Sequence, residues 1–171
     1  MRRASLLVTG VLSLVALVLA AAVGVMLADL GRLRAGEDAG RDALAAARSF
    51  AADMLSYDYR TIEQDFARAG GYTTGGLAEH YRRLAATMGP PARQQRLVQS
   101  ATVVEAAVES AGPDHAEVLL FVNMNTARTP AGEDQPRRQV TRGRVRFVMV
   151  RDGSRWLVTE LSTLLGAAPP L

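Results

Sequence analysis

The stretch from Ala4 to Ala28, ASLLVTGVLSLVALVLAAAVGVMLA, runs for 25 residues without a charge. A surface helix of a water-soluble domain has a polar face, and this segment has none. As a helix it reaches ~37 Å at ~1.5 Å per residue, enough to cross a ~30 Å hydrocarbon core with some tilt. Arg2 and Arg3 precede it, which under the positive-inside rule keeps the N-terminus in the cytoplasm and sends the rest of the chain outside. Arg32 and Arg34 on the far side weaken that bias, but Asp29, Glu37 and Asp38 accompany them. The alternative is a cleaved signal peptide, for which Ala20, Ala21 and Ala22 offer small residues. The apolar run is about twice the usual ~7–15-residue signal core and continues past those alanines, which favours a retained single-span anchor at 4–28. Either way the expected localisation of the domain is extracytoplasmic.

The sequence divides into a cytoplasmic stub and anchor at 1–30, a charged linker at 31–40 that is either extended or helical, one domain at 41–165 and a tail at 166–171. About 140 residues outside the anchor suffice for a single core. Cysteine is absent, which removes disulfides, thiolate nucleophiles and cysteine-ligated metals. All 20 basic residues are arginine, and the net charge is only +3. Without aromatic residues interleaved among the basic ones, nucleic acid is not an expected partner.

Three helical patterns come first. Ala43, Ala47, Phe50 and Met54 share one stripe with Leu44, Ala51 and Leu55. In LSYDYRTIEQDFARAG, Tyr59, Ile62, Phe66 and Ala69 form a second stripe, with Asp58 or a Thr61–Gln64 capping box at its start and Gly70–Gly71 at its end. Leu77, Tyr81, Leu84, Ala85 and Met88 form the third, expected to stop at Gly89-Pro90-Pro91. The period then shifts towards 2. Four strands are expected, near 95–110, 116–127, 139–151 and 155–164, with Asp152-Gly153 marking a hairpin. The fold class is therefore α+β, three helices packed on a curved four-stranded antiparallel sheet.

Four features in this order carry a family resemblance: the N-terminal span, LSYDYRTIEQDFARA, QQRLVQSATVVEAAVESAGPDHAEVLLFVN and RVRFVMVRDGSRWLVTELSTL. The chain resembles the actinobacterial Mce-associated membrane proteins. That resemblance implies a nuclear-transport-factor-2-like cone, related in shape to the periplasmic assembly component of type IV secretion systems. It also implies an accessory role beside Mce transporter subunits in lipid or sterol import, and supplies no catalytic residues.

Candidate sites follow from the residues themselves. Arg142, Arg144 and Arg146 alternate and so share one strand face; with Arg138 they are either a solvated outer sheet face or a docking surface for an acidic partner or anionic head groups. Asp58 and Asp65 flank the second helix's apolar stripe beside Tyr59. They are either structural groups or the acid–base pair of an isomerase- or cyclase-like enzyme. His80 and His115 have no metal-ligand spacing, and no cofactor is expected. The favoured expectation is a non-enzymatic scaffold. A cone that carries a lipid or sterol is the alternative.

Overall fold

The computed structural model describes the backbone of residues 2–130, 132–133 and 135–164, and the side chains of residues 17–163 other than 131 and 134. The expected tail at 166–171 lies outside the described residues, as do the side chains of 4–16 in the expected span. Among the described residues no helix is long and apolar enough to cross a membrane.

Helix α1 runs unbroken from Arg2 to Leu55, 54 residues. The segment at 31–40, expected as a linker, is part of it. Glu37 and Asp38 reach Arg41 one turn on, at 3.9 and 3.0 Å, and such pairs support a helix locally. Tertiary packing contributes more. Ala39 and Gly40 are buried, and a Cβ on Gly40 would stand 3.0 Å from the Ala111 Cβ. These small residues let α1 approach the sheet closely, which a charged, glycine-containing decapeptide does not announce. The predicted stripe is buried farther along, at Ala43, Ala47, Phe50, Ala51, Met54 and Leu55.

Strand β1 (Tyr57–Asp58) pairs with the start of β2, so the sheet has five strands rather than the expected four. Two residues are too few to show a period. Helix α2 (Ile62–Gly70) buries Ile62, Phe66 and Ala69. Tyr59 falls in the turn before it. Helix α3 (Gly75–Gln94) passes through Pro90 and Pro91, contrary to expectation. Its last turn is held because Gly89 and Ala92 are buried and Arg93 pairs with Glu63 of α2 at 2.5 Å. The helix ends in a Schellman motif instead. Leu97 N–H donates to Ala92 O (2.8 Å) and Arg96 N–H to Arg93 O (3.2 Å), with Arg96 at φ 45° where glycine is usual.

The rest of the sheet follows in sequence order as β2 (Val98–Ala111), β3 (His115–Arg128), β4 (Arg137–Asp152) and β5 (Arg155–Leu164), all antiparallel. Gly153 takes φ 62° in the two-residue β4–β5 loop, the first central position at which a type II′ turn requires glycine. Register shifts at Val103/Glu105, Val108/Ser110 and Val148/Met149 mark bulges, which bend strands and tighten twist. The inner face carries Val118, Leu120, Val122, Val145, Phe147 and Met149, each at most 1% exposed. Phe50 of α1 stacks 6.2 Å from Phe147, and Tyr81 of α3 donates to Met54 O (2.9 Å), so side chains of the helices fill this concavity.

Candidate functional site

On β3 and β4 the residues between the core positions point away from the helices. The register sets Glu117, Leu119, Phe121 and Asn123 opposite Val148, Arg146, Arg144 and Arg142. Arg138 lies opposite Ala127 on the same face. The four arginines singled out from the sequence therefore share one side of the sheet, because no bulge interrupts the β3–β4 ladder.

They are not equivalent. Arg146 grips Glu109 with two hydrogen bonds, 2.5 and 3.1 Å, and this carboxylate raises the guanidinium pKa. No described carboxylate lies within 4 Å of Arg138, Arg142 or Arg144. Large apolar side chains accompany them: Val104 is 60% exposed, Phe121 40% and Val140 66%. Val104, Phe121, Asn123, Arg142 and Gly143 line a shallow groove of about 340 Å³. Sequence reasoning missed this apolar component. Its signal was parity, since Phe121 falls in step with Leu119 and Asn123 on the strand face opposite the core residues. An apolar centre flanked by unneutralised guanidinium groups suits contact with a carboxylate-bearing surface.

The second candidate cluster sits elsewhere. Asp65 Oδ2 accepts hydrogen bonds from the Asp58 N–H (3.0 Å) and the Thr61 hydroxyl (2.9 Å), with Arg68 at 3.6 Å. Asp58 Oδ1 accepts from the Arg60 N–H (2.9 Å), closing an Asx turn. Thr61 is the N-cap of α2, yet its side chain makes no capping bond, and Asp58 does not cap the helix. The expected N-cap position holds at Thr61, but the expected side-chain capping bond does not form. The hydroxyl is donated to Asp65, which ties the turn to the helix from inside its first turn. Tyr59 accepts from Arg60 Nε (3.1 Å) at the edge of the domain. These carboxylates are engaged with neighbouring backbone and hydroxyl groups and are not gathered at a common cavity with Arg142 or Arg144.

His115 opens β3, with its ring against Gly112 and Nδ1 3.1 Å from Asp114 Oδ1. His80 packs edge-on to Tyr81. Among the described residues no group of three or more His, Cys, Asp or Glu could hold a metal ion. Another groove, about 670 Å³, lies between the Arg32–Leu44 stretch of α1 and Val108–Ala111 of β2.

Comparison with known proteins places this geometry. The family described as "Uncharacterized protein Rv1363c/MT1408-like" matches residues 4–158. Rv1362c of Mycobacterium tuberculosis is 33% identical over 125 residues, 72% of this chain and 55% of that protein. The chain thus spans about half the length of that relative. Rv1973 of the same organism, named as an outer membrane protein, is 30% identical over 156 residues, 91% of this chain and 94% of its own. An IcmL-like type IV secretion system protein of Legionella pneumophila superposes with TM-score 0.55 at 12% identity, covering 75% of this chain and 94% of that one. VirB8 of Agrobacterium tumefaciens gives 0.53 at 10%, covering 74% and 92%. At those identities the structural likeness shows the fold, α+β with a curled antiparallel sheet. The chain belongs to the Rv1363c/MT1408-like family.

Proposed function

We propose that this member of the Rv1363c/MT1408-like family is a non-enzymatic, membrane-anchored accessory subunit that assembles or stabilises a larger complex of the cell envelope. The observation that carries the reading is the outer sheet face, where Phe121, Val104 and Val140 stay exposed beside Arg138, Arg142 and Arg144. Exposed large apolar groups gathered beside unneutralised charge fit a docking face. The uncharged run at 4–28 supports the anchor, with the domain on the extracytoplasmic side. The continuity of α1 from that run into the core makes the anchor a rigid post rather than a tether. A relative named as an outer membrane protein and a fold shared with type IV secretion proteins support an envelope role. The resemblance to Mce-associated proteins makes an Mce-type lipid or sterol importer the expected complex.

The test is affinity capture of the full-length protein from its native envelope, with and without Arg142→Glu and Arg144→Glu. Transporter subunits are expected with the wild type and not with the double variant. If none enriches and deletion of the gene leaves lipid uptake unchanged, the reading fails. A second reading, a domain that carries a lipid or sterol, draws on the groove beside Leu33, Leu44 and Val108. Native mass spectrometry of the protein released from micelles decides it: a retained lipid supports carriage, and a consistently empty chain removes it.

A further inference from the structure

At the end of the domain where α1 finishes, the inner face of the sheet runs beyond the helices. The unbroken β3–β4 register continues the inward alternation past Met124 and Thr141 to Thr126 and Arg128 on β3 and to Gln139 and Arg137 on β4. Gln95 and Leu97, from the junction of α3 and β2, form a third wall, fixed by the Thr129 N–H donating to Gln95 O (2.7 Å). With Arg138 reaching the rim, these residues line a cleft of about 400 Å³. That volume falls within the ~300–1,000 Å³ typical of small-ligand sites.

The requirements of the fold leave two features of this cleft unexplained. Arg128 and Arg137 are direct register partners on one face, and like charges placed opposite each other oppose strand pairing. Glu133 answers only one of them, gripping Arg137 through two hydrogen bonds of 2.9 and 2.5 Å. No described carboxylate lies within 4 Å of Arg128 or Arg138. Finally, Thr126, Gln95 and Gln139 offer neutral hydrogen-bonding groups around the charges.

We propose that this cleft is a binding site for an oxyanion, a carboxylate or phosphate group held between Arg128 and Arg137 and closed over by Arg138. The Glu133–Arg137 pair displays the two-pronged geometry that such a group would use at Arg128. A bound anion cancels the cross-strand repulsion, so the arrangement that is costly when empty becomes favourable when filled. The group comes either from a free small anion or from the acidic segment of a protein, and the chemistry of the grip is the same. Arg138 is shared with the outer face, but Arg128 and Arg137 lie on the inner one, so variants of Arg128 and Arg142 distinguish this site from the docking reading.

The test is calorimetric titration of the full chain in detergent micelles at low ionic strength, with inorganic phosphate in one arm and a hexaglutamate peptide in the other. One saturable site per chain is expected in at least one arm. Arg128→Gln is expected to weaken it by about tenfold or more, the loss of one charge-assisted two-pronged contact. Arg142→Gln on the outer face should leave it unchanged. Binding of phosphate alone assigns a small anion; tighter binding of hexaglutamate assigns a protein segment. The proposal is overturned if neither binds, if Arg128→Gln binds like the wild type, or if Arg142→Gln weakens binding equally. Without ligand, Arg128→Gln should unfold at the same temperature as the wild type or higher, because it removes a like-charge pair. A lower unfolding temperature would make Arg128 a structural residue and also overturn the proposal.

Discussion

The two faces of the sheet are built from the same strands, one residue out of step, and they behave as different materials. Facing inward, Val118, Leu120 and Val122 meet Phe147 and Val145 with almost no exposure. Facing outward, Leu119, Phe121 and Asn123 meet Arg146, Arg144 and Arg142 in partial contact with solvent. A slip of one residue would exchange the two sets, so the inner face alone is enough to fix the register. That leaves the outer face free to carry exposed apolar groups and unneutralised charge, at little cost to folding.

The sharpest way to break this contrast is a pair of truncations on adjacent strands. Phe147→Ala should cost about 3–5 kcal/mol, whereas Phe121→Ala should cost under ~1 kcal/mol because its ring is already partly wet. Denaturant unfolding followed by the fluorescence of Trp156, the sole tryptophan and nearly buried, measures both. Equal losses would mean that the outer face is structural too.

Alkali separates the faces next. Burial pushes the Tyr81 phenol up from 10.0 to about 12, so the folded state favours the neutral form. Its contribution, about 2–3 kcal/mol for such a shift, is complete below pH 10 and is lost as the pH rises from 10 to 12. Tyr57, also raised by burial, adds in the same direction. Tyr81→Phe should remove most of the alkaline loss in unfolding free energy measured against pH.

A smaller effect probes the contact of α1 with the sheet. Gly40→Leu places a side chain where even a Cβ stands 3.0 Å from Ala111, and overpacking of this kind costs about 1–3 kcal/mol. A matching fall in unfolding temperature is expected, and an unchanged value would show that α1 and the sheet can separate there. Least affected should be Arg142→Gln with Arg144→Gln, within about 0.5 kcal/mol of the wild type in the same denaturant experiment, while partner capture is lost. A large destabilisation would reassign the arginine face to folding.

The elements that read correctly were those whose signal repeats within a few turns. The stripe from Ala43 to Met54, the Ile62–Phe66–Ala69 face, Tyr81, the four long strands and the Asp152-Gly153 hairpin all follow from local periodicity and turn chemistry. The shared face of Arg138, Arg142, Arg144 and Arg146 is likewise a period-2 fact. What misled was punctuation. Gly36 and Gly40 read as a linker and are a packing surface; Gly89-Pro90-Pro91 read as a stop and lies inside α3; Thr61 and Asp58 read as caps, and Asp65 ties the turn instead. The first two depend on residues distant in sequence, Ala111 and Glu63; the third depends on the local fold of the turn, which brings Asp65 to Thr61 and the Asp58 N–H.

Taken alone, the sequence determined the period of each segment and so which residues are buried, because burial answers to alternation along the chain itself. The tertiary structure alone decided which strand faces which. It set Phe121 opposite Arg144 to make an apolar and cationic face, and Arg128 opposite Arg137 to make a charged cleft. Register between strands is settled by how well the whole inner face packs, and no single segment contains that information.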